Sequence, residues 1–460
     1  MKTQDTMGEQ VIAPGQGRSK GRSWLGGLGA IFVVVLVVGA SAIVFAQLGQ
    51  HQKSQVPNPP AGKWVQVLSG YTLASLTAAD SNPSTLYACA VHSQPDTAQS
   101  ATVNNTPYTV LRSTDFGTHW QDIGSKAALG NSCQLAVNPG NSNELYAIGL
   151  SNAARATGVL KHSTDSGQTW TTIAPTFHVS GSQSAPVWNV EQLSMVGNAL
   201  FGVQWMPQNT NPAVHSGVLP RYYARLTRLV TSTDGGHTWS VLDQQLAASW
   251  QGVSSYAVDP ANTGTIYQLA AIPLLPIQPG EAEPGVPTVY GGNAELYKTS
   301  DNGASWQLLS KNLPFATQVQ LATSNPQVIY VGGSRSPLPA LREVPVGTDT
   351  TVPGSFQLQM SSDGGANWRQ VPDVPQASPV SGIPYVQAWF VDSNGEVYAY
   401  PAGSPTSLQR YDPSRNAWNA VTTPPIDGVL LALTPGNANS DVLWFVGTNK
   451  GQSVLDRYVV

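Results

Sequence analysis

After one long uncharged stretch near the N-terminus, the apolar residues of this 460-residue chain fall into short runs of strand length. Seven of the runs carry an aliphatic–aromatic pair: Leu86-Tyr87, Leu145-Tyr146, Leu200-Phe201, Ile266-Tyr267, Ile329-Tyr330, Val397-Tyr398 and Leu443-Trp444. A Pro often precedes the pair, as at Pro83, Pro139, Pro260, Pro326 and Pro435. A second pattern, Trp followed three positions later by an aliphatic residue, also occurs seven times: Trp64/Val67, Trp120/Ile123, Trp170/Ile173, Trp239/Leu242, Trp306/Leu309, Trp368/Val371 and Trp418/Val421. The two series alternate, but the first Trp pair has no aromatic pair before it and the last aromatic pair has no Trp pair after it. Joining the chain ends therefore completes a seventh unit. This predicts seven four-stranded blades in a ring, with the strand near Trp64–Leu68 supplying the outer strand of the last blade.

Five of the Trp residues close a recurrent turn: STDFGTHW at 113–120, STDSGQTW at 163–170, STDGGHTW at 232–239, TSDNGASW at 299–306 and SSDGGANW at 361–368. The pattern is that of a tight hairpin. A carboxylate accepts hydrogen bonds from the amides of its own loop, a hydroxyl ties the loop back, and Gly supplies a positive φ. Trp then opens the next strand and carries a large ring to bury. Asp115, Asp165, Asp234, Asp301 and Asp363 are thus read as turn staples. A degenerate version, Tyr411-Asp412-Pro413, precedes Trp418.

These turns resemble the Asp-box (BNR) repeats of sialidases, sortilin-type receptor ectodomains and photosystem II assembly-factor propellers. The resemblance covers nearly everything after residue 61. It implies an all-β propeller; with the repeat count and the uncharged N-terminal stretch, the expected fold is a single seven-bladed β-propeller of Asp-box repeats after one N-terminal transmembrane helix. It does not name a ligand, because the shared residues are turn staples and the scaffold hosts unrelated activities.

Composition agrees with an all-β chain. There are 44 Gly and 35 Pro, which leave little room for long helices, while 41% of residues are hydrophobic, which argues against disorder. A net charge of −4 gives no footprint for nucleic acid. From Trp24 to Leu48 no residue is charged, and Arg18, Lys20 and Arg22 stand just before. This predicts a cytoplasmic basic tail (1–23), a membrane anchor (24–48), a Pro- and Gln-rich linker (49–61) and an extracytoplasmic propeller (62–460). A cleaved signal peptide ending near Ala40-Ser41-Ala42 is the competing reading and gives a secreted propeller. Cys89 and Cys133 are the only cysteines. In an oxidising compartment they can form a disulfide, or stay as two buried thiols. No CxxC or HExxH spacing points to a metal, and no cofactor motif appears.

Length variation marks one face. From aromatic pair to box Trp the chain runs 24 residues between Tyr146 and Trp170, but 38 or 39 in the next three repeats. The extra length falls at about 207–228, 273–294 and 334–355, with a smaller insertion near 93–107. All would join the second and third strands of a blade, opposite the boxes. Candidate ligand-binding residues on them are Arg221, Tyr222, Tyr223, Arg225 and Arg228 on the first, Glu281 and Glu283 on the second, and Arg335, Arg342 and Glu343 on the third. Arg beside Tyr suits carboxylate or glycan recognition, and an interloop salt-bridge cluster is the plainer alternative. Trp188, Trp205, Trp250 and Trp389 stand outside the Trp series and suit sugar stacking or strand packing.

The expected function is a binding or assembly module that takes a protein or glycan on the long-loop face. The alternative is an exo-sialidase-like glycoside hydrolase. Such enzymes clamp a carboxylate with three Arg, one of them in an Arg-Ile-Pro motif. No Arg-Ile-Pro occurs here, and no Arg lies between residue 62 and Arg112. Sialidase propellers have six blades, whereas the repeat count here is seven. No residue is therefore assigned as catalytic.

Overall fold

The computed structural model describes residues 57, 59–93, 107–124, 127–130, 132–150, 158–178, 190–205, 227–244, 246, 252–271, 293–314, 316–334, 356–375, 379–380, 383–384, 386–401, 407–437 and 440–460. Among them there is no helix, and so none that could cross a membrane. The predicted tail, anchor and most of the linker lie outside the described residues.

The described strands form a seven-bladed β-propeller. The inner strands of blades 1 to 7 are Tyr71–Ala79, Cys133–Asn138, Val190–Val196, Gly252–Val258, Gln318–Ala322, Val386–Val391 and Asp427–Pro435. Each blade continues outward through antiparallel neighbours in sequence order. Blade 7 differs in its outermost strand, which is Trp64–Ser69 from the start of the fold, paired antiparallel with Gln452–Val459. Trp64 stands opposite Tyr458, and its ring lies 5.1 Å from that of Tyr458 and 5.7 Å from that of Phe445. The closure predicted from the two half-repeats is thus present.

Blade 3 carries a fifth strand, Thr176–His178, which the sequence patterns do not announce. It leaves blade 2 and pairs parallel with Thr238–Val241, with Thr176 Oγ1 donating to the His237 carbonyl at 3.1 Å.

The recurring turns join the third strand of a blade to its fourth. In blade 2, Ser163 Oγ accepts from the Gly167 amide at 2.8 Å, and Asp165 Oδ1 accepts from the Thr169 amide at 2.9 Å. Blades 1, 3, 4 and 5 repeat the same pair of bonds around Asp115, Asp234, Asp301 and Asp363.

The turns also set the spacing between blades. The final Gly of each has φ between +80° and +95° and faces a side chain or backbone of the preceding blade. A Cβ at Gly117 would lie 2.9 Å from Trp444, one at Gly167 2.5 Å from Ile123, and one at Gly365 2.5 Å from Leu309. At Gly303 it would lie 2.4 Å from the Leu242 carbonyl oxygen. Ile123, Leu242 and Leu309 are the aliphatic residues three positions beyond Trp. The aromatic pairs serve the same seams. Tyr87 OH donates to the Ser142 carbonyl of the next blade at 2.8 Å, and Tyr330 OH to the Gly395 carbonyl at 2.6 Å. Basic side chains bind the turn carbonyls: Arg457 donates to the Phe116 carbonyl across the closure seam, and Lys298 to that of Gly364 at 3.3 Å. The box Trp rings are less buried than the pattern suggests. Trp239 is fully buried, whereas Trp120, Trp170, Trp306 and Trp368 are half-buried.

The inner strands are joined across the channel wall by side-chain amides and hydroxyls. The Leu193 amide donates to Gln134 Oε1 at 3.2 Å, Gln192 Nε2 to the Ser254 carbonyl at 3.0 Å, and the Val319 amide to Ser255 Oγ at 3.2 Å. Gln320 accepts from the Val391 amide at 2.9 Å and donates to the Trp389 carbonyl at 3.0 Å. Inner strands have one edge without a ladder partner, and these bonds satisfy part of it. Trp389 is buried in the core between blades 5 and 6, so it packs strands and presents no surface to a sugar.

The seam contacts predict unequal costs for two chemically identical changes. Gly451→Ala, at φ +79° with nothing within 4 Å, should cost only the backbone strain, about 1–2 kcal/mol. Gly303→Ala carries the same strain plus the clash with Leu242. It should cost about 1–3 kcal/mol more, in the range of overpacking. Urea unfolding of the two variants measures the difference, and equal losses would contradict the seam role.

Candidate functional site

Strand direction places every second-to-third loop on one face, with the fourth-to-first connections. The stapled turns lie on the other. In blades 3, 4 and 5 the gaps between strands Ala199–Trp205 and Thr227–Ser232, Ile266–Ala271 and Asn293–Thr299, and Asn325–Ser334 and Phe356–Ser361 hold the three long insertions. Arg221, Tyr222, Tyr223, Arg225, Glu281, Glu283, Arg335, Arg342 and Glu343 all lie outside the described residues, as do Trp188, Trp250 and the side chain of Trp205.

Arg228 is described, and its position corrects the expected loop boundary. It belongs to strand Thr227–Ser232, directly opposite Gln204, and is 8% exposed. The strand begins at residue 227, so the insertion ends earlier than its length alone suggested. Near Arg228 are Asp243, 1% exposed, and Gln268, whose Nε2 donates to Asp243 Oδ2 at 3.2 Å. Burial raises the Asp243 carboxyl while the Arg228 charge opposes it, and burial lowers Arg228 while Asp243 opposes that. Gln204 Nε2, Asp243 Oδ1 and Gln268 Oε1 are buried without hydrogen-bond partners. This is an internal polar cluster at the root of the first long loop, closed to a ligand of any size.

An open pocket of about 420 Å³ lies in the channel wall, lined by Ala74, Ser75, Tyr108, Ser132, Cys133, Gln134, Leu135, Gln192 and Leu193. It spans the inner strands of blades 1, 2 and 3. Tyr108 ends the second-to-third loop of blade 1, and Ser132 immediately precedes the inner strand of blade 2, so the pocket opens toward the long-loop face. Two β-bulges shape it. The register of blade 1 skips between Leu73 and Ser75, and that of blade 3 between Glu191 and Ser194. Bulges re-aim side chains and interrupt pairing. Gln192 has φ +53°, uncommon for a non-glycine residue, and its carbonyl accepts from the Tyr256 hydroxyl. Cys133 forms a disulfide with Cys89, which stands opposite Ser75, so the link ties blade 1 to blade 2 behind the pocket. None of these pocket residues was singled out as a ligand group from sequence. Ser, Gln and bulged backbone from three repeats form no motif.

The turn carboxylates sit far from this chemistry in role as well as in face. Each has its oxygens occupied. Asp165 Oδ2 accepts from Thr169 Oγ1 at 2.6 Å, Asp363 Oδ2 from Asn367 Nδ2 at 2.7 Å, and Asp115 Oδ2 contacts His119 Nδ1 at 2.5 Å. The Thr169 hydroxyl and amide pull the Asp165 carboxyl down to about 2, and the Asn367 carboxamide and amide do the same for Asp363. At Asp234 burial pulls upward, yet the Thr238 hydroxyl and amide outweigh it and the value is again about 2. An acid/base catalyst near neutral pH needs the opposite shift. No group of three or more metal-ligating side chains occurs among the described residues.

No protein-family model matches the chain, and no curated protein matches it. Solved structures do resemble it. YCF48 from Cyanidioschyzon merolae aligns over 87% of this chain and 99% of its own at 12% identity, with a TM-score of 0.49. YCF48 bound to D1 peptide covers 88% of this chain and 99% of its own, at 12% identity and a TM-score of 0.47. Oligogalacturonate lyase in complex with manganese covers 87% and 98%, at 10% identity and a TM-score of 0.50. Identities this low speak to fold alone.

The shifted carboxyls predict an acid limb of stability with a defined window. Depressed values at Asp165, Asp234 and Asp363 add stability that is complete above the unfolded value, about 4, and lost as pH falls toward about 2. Asp392 has the reverse sign. Burial, reinforced by Asp441, pushes it up to about 6 against the Glu396 amide, so its contribution is lost as pH rises from about 4 through about 6. Chemical denaturation across pH should show the first fall reduced in Asp165→Asn and the second removed in Asp392→Asn. An unchanged profile in either variant counts against that assignment.

Proposed function

We propose that this chain is a binding module, anchored in the membrane by residues 24–48, whose Asp-box propeller receives a protein or glycan at the long-loop mouth of its channel. One observation carries the reading: the strand order puts the three long insertions and the channel-wall pocket on the same face, opposite the turns that hold the ring together. Long loops on a rigid scaffold are where recognition concentrates. The turn face has no comparable freedom, because its glycines and carboxylates are committed to the seams.

The chemistry of the pocket favours binding over hydrolysis. A glycosidase needs two carboxylates about 5–10 Å apart at the ligand. The described pocket wall contains no carboxylate and no arginine, and the carboxylates of the five turns belong to the opposite face. The propeller lies outside the cytoplasm in this reading, which is consistent with the Cys89–Cys133 disulfide.

Deleting 273–294 from the full chain should leave the unfolding midpoint within a few degrees of the wild type. Ligands identified with the full chain, by glycan array and by photo-crosslinking at the cell surface, should be lost. Retention of every such ligand by the deletion variant would remove the long-loop face as the binding face. In parallel, the full chain at micromolar concentration should release no fluorophore from a fluorogenic sialoside, and turnover would restore the hydrolase reading.

A further inference from the structure

Resting on the reading of the mouth as the receiving face, the geometry points to the channel-wall pocket between blades 1, 2 and 3 as a binding site for an uncharged saccharide unit. Its volume of about 420 Å³ falls in the range of small-molecule sites. Four features decide what chemistry it takes.

The first is charge. None of the nine lining residues is Lys, Arg, His, Asp or Glu. A sialic acid, uronate or phosphate entering here would give up hydration without meeting a counter-charge. The second is the kind of polar group present. The inter-strand bonds leave Gln134 Nε2 and Gln192 Oε1 beside the Ser132 hydroxyl, so the wall can both donate and accept. Sugar hydroxyls have the same dual capacity. The third is reach: Ser132, beside the mouth, is partly exposed, so its hydroxyl can meet a ligand. Tyr108 adds a ring, an apolar body with a polar tip, on which the C–H face of a pyranose can lie.

The fourth separates a saccharide from a peptide. A peptide strand added to a sheet edge needs a run of regularly spaced amides and carbonyls. Here the inner-strand edge is broken by the bulges at Leu73/Ser75 and Glu191/Ser194. The Leu193 amide is taken up by Gln134, and the Gln192 carbonyl by Tyr256. Little regular edge is left to extend, while the side-chain hydroxyls and amides face the cavity. The strained φ of +53° at Gln192 fits a wall shaped for contact, since such conformations concentrate where ligands are held.

The test uses the full chain in phosphatidylcholine nanodiscs. Saturation-transfer difference NMR is run with methyl glycosides of mannose, glucose and galactose, with N-acetylglucosamine, and with glucuronate and N-acetylneuraminate as charged counterparts. At least one neutral sugar should bind and both acids should not. Ser132→Ala removes a partly exposed wall hydroxyl outside the core, so it should leave the melting temperature unchanged while weakening binding roughly fivefold or more. Tyr108→Ala should weaken the same sugar. Binding of the acids but of no neutral sugar overturns the proposal, as does silence from the whole panel. A neutral sugar that resists both substitutions but is lost on deleting 273–294 overturns the pocket and leaves the long-loop reading standing. A sugar lost in Ser132→Ala yet retained after that deletion supports the pocket and takes the loops out of it.

Discussion

At five of the seven seams a blade closes on a glycine of the next. A positive φ is needed to make the stapled turn, and the missing Cβ is needed to let the neighbouring blade approach. Both requirements meet at one atom. Gly117, Gly167, Gly236, Gly303 and Gly365 therefore fix turn geometry and blade spacing together, and the Asp–Ser staple holds each turn in the shape that presents the glycine. The closing seam obeys the same rule. Gly117 of blade 1 meets Trp444 of blade 7, and Arg457 binds the carbonyl beside that glycine. Borrowing the strand Trp64–Ser69 then adds, inside blade 7, a ladder of backbone bonds across the junction of the chain ends.

This explains why so much of the fold is legible in the sequence. Three independent-looking patterns, the turn, the Trp-plus-three aliphatic and the aromatic pair, are the parts of one seam. Each must recur wherever the seam recurs, and Ile123 under Gly167 or Leu309 under Gly365 is a contact that a one-dimensional reading records as periodic spacing. The features that escaped it occur once. The parallel strand Thr176–His178 depends on where the exit from blade 2 happens to pass, and the buried placement of Arg228 depends on one strand starting before its loop seemed to end. The seam rule also loosens where the turn degenerates. At Tyr411-Asp412-Pro413 no glycine is available, and Arg369 instead bridges to Asn416 and to the Pro413 carbonyl.

The candidate site was legible only as a face. Insertions at one topological position announce which end of the channel varies, because topology alone assigns every second-to-third loop to that end. The pocket itself is silent in sequence. Ser75, Gln134 and Gln192 are common residues, and what makes them a wall is the bulge beside two of them and the convergence of three inner strands about the axis. A register shift leaves no residue signature of its own, since the bulged position tolerates most side chains.

The wall of that pocket is itself cross-linked. Gln134 binds the backbone of blade 3, Gln192 that of blade 4, Tyr256 returns a bond to Gln192, and the disulfide joins blade 1 to blade 2 behind Ser75. Such bonds do little for a ring already held by its glycine seams on the other face. Their consequence is local: the groups lining the cavity are fixed before anything arrives. A ligand recognised by neutral hydrogen bonds gains little from each, so ordering the wall on binding would consume most of the gain. A wall ordered in advance avoids that cost. The two ends of the ring thus differ, with glycine seams that set the blade spacing at one and a cavity wall fixed in advance toward the other.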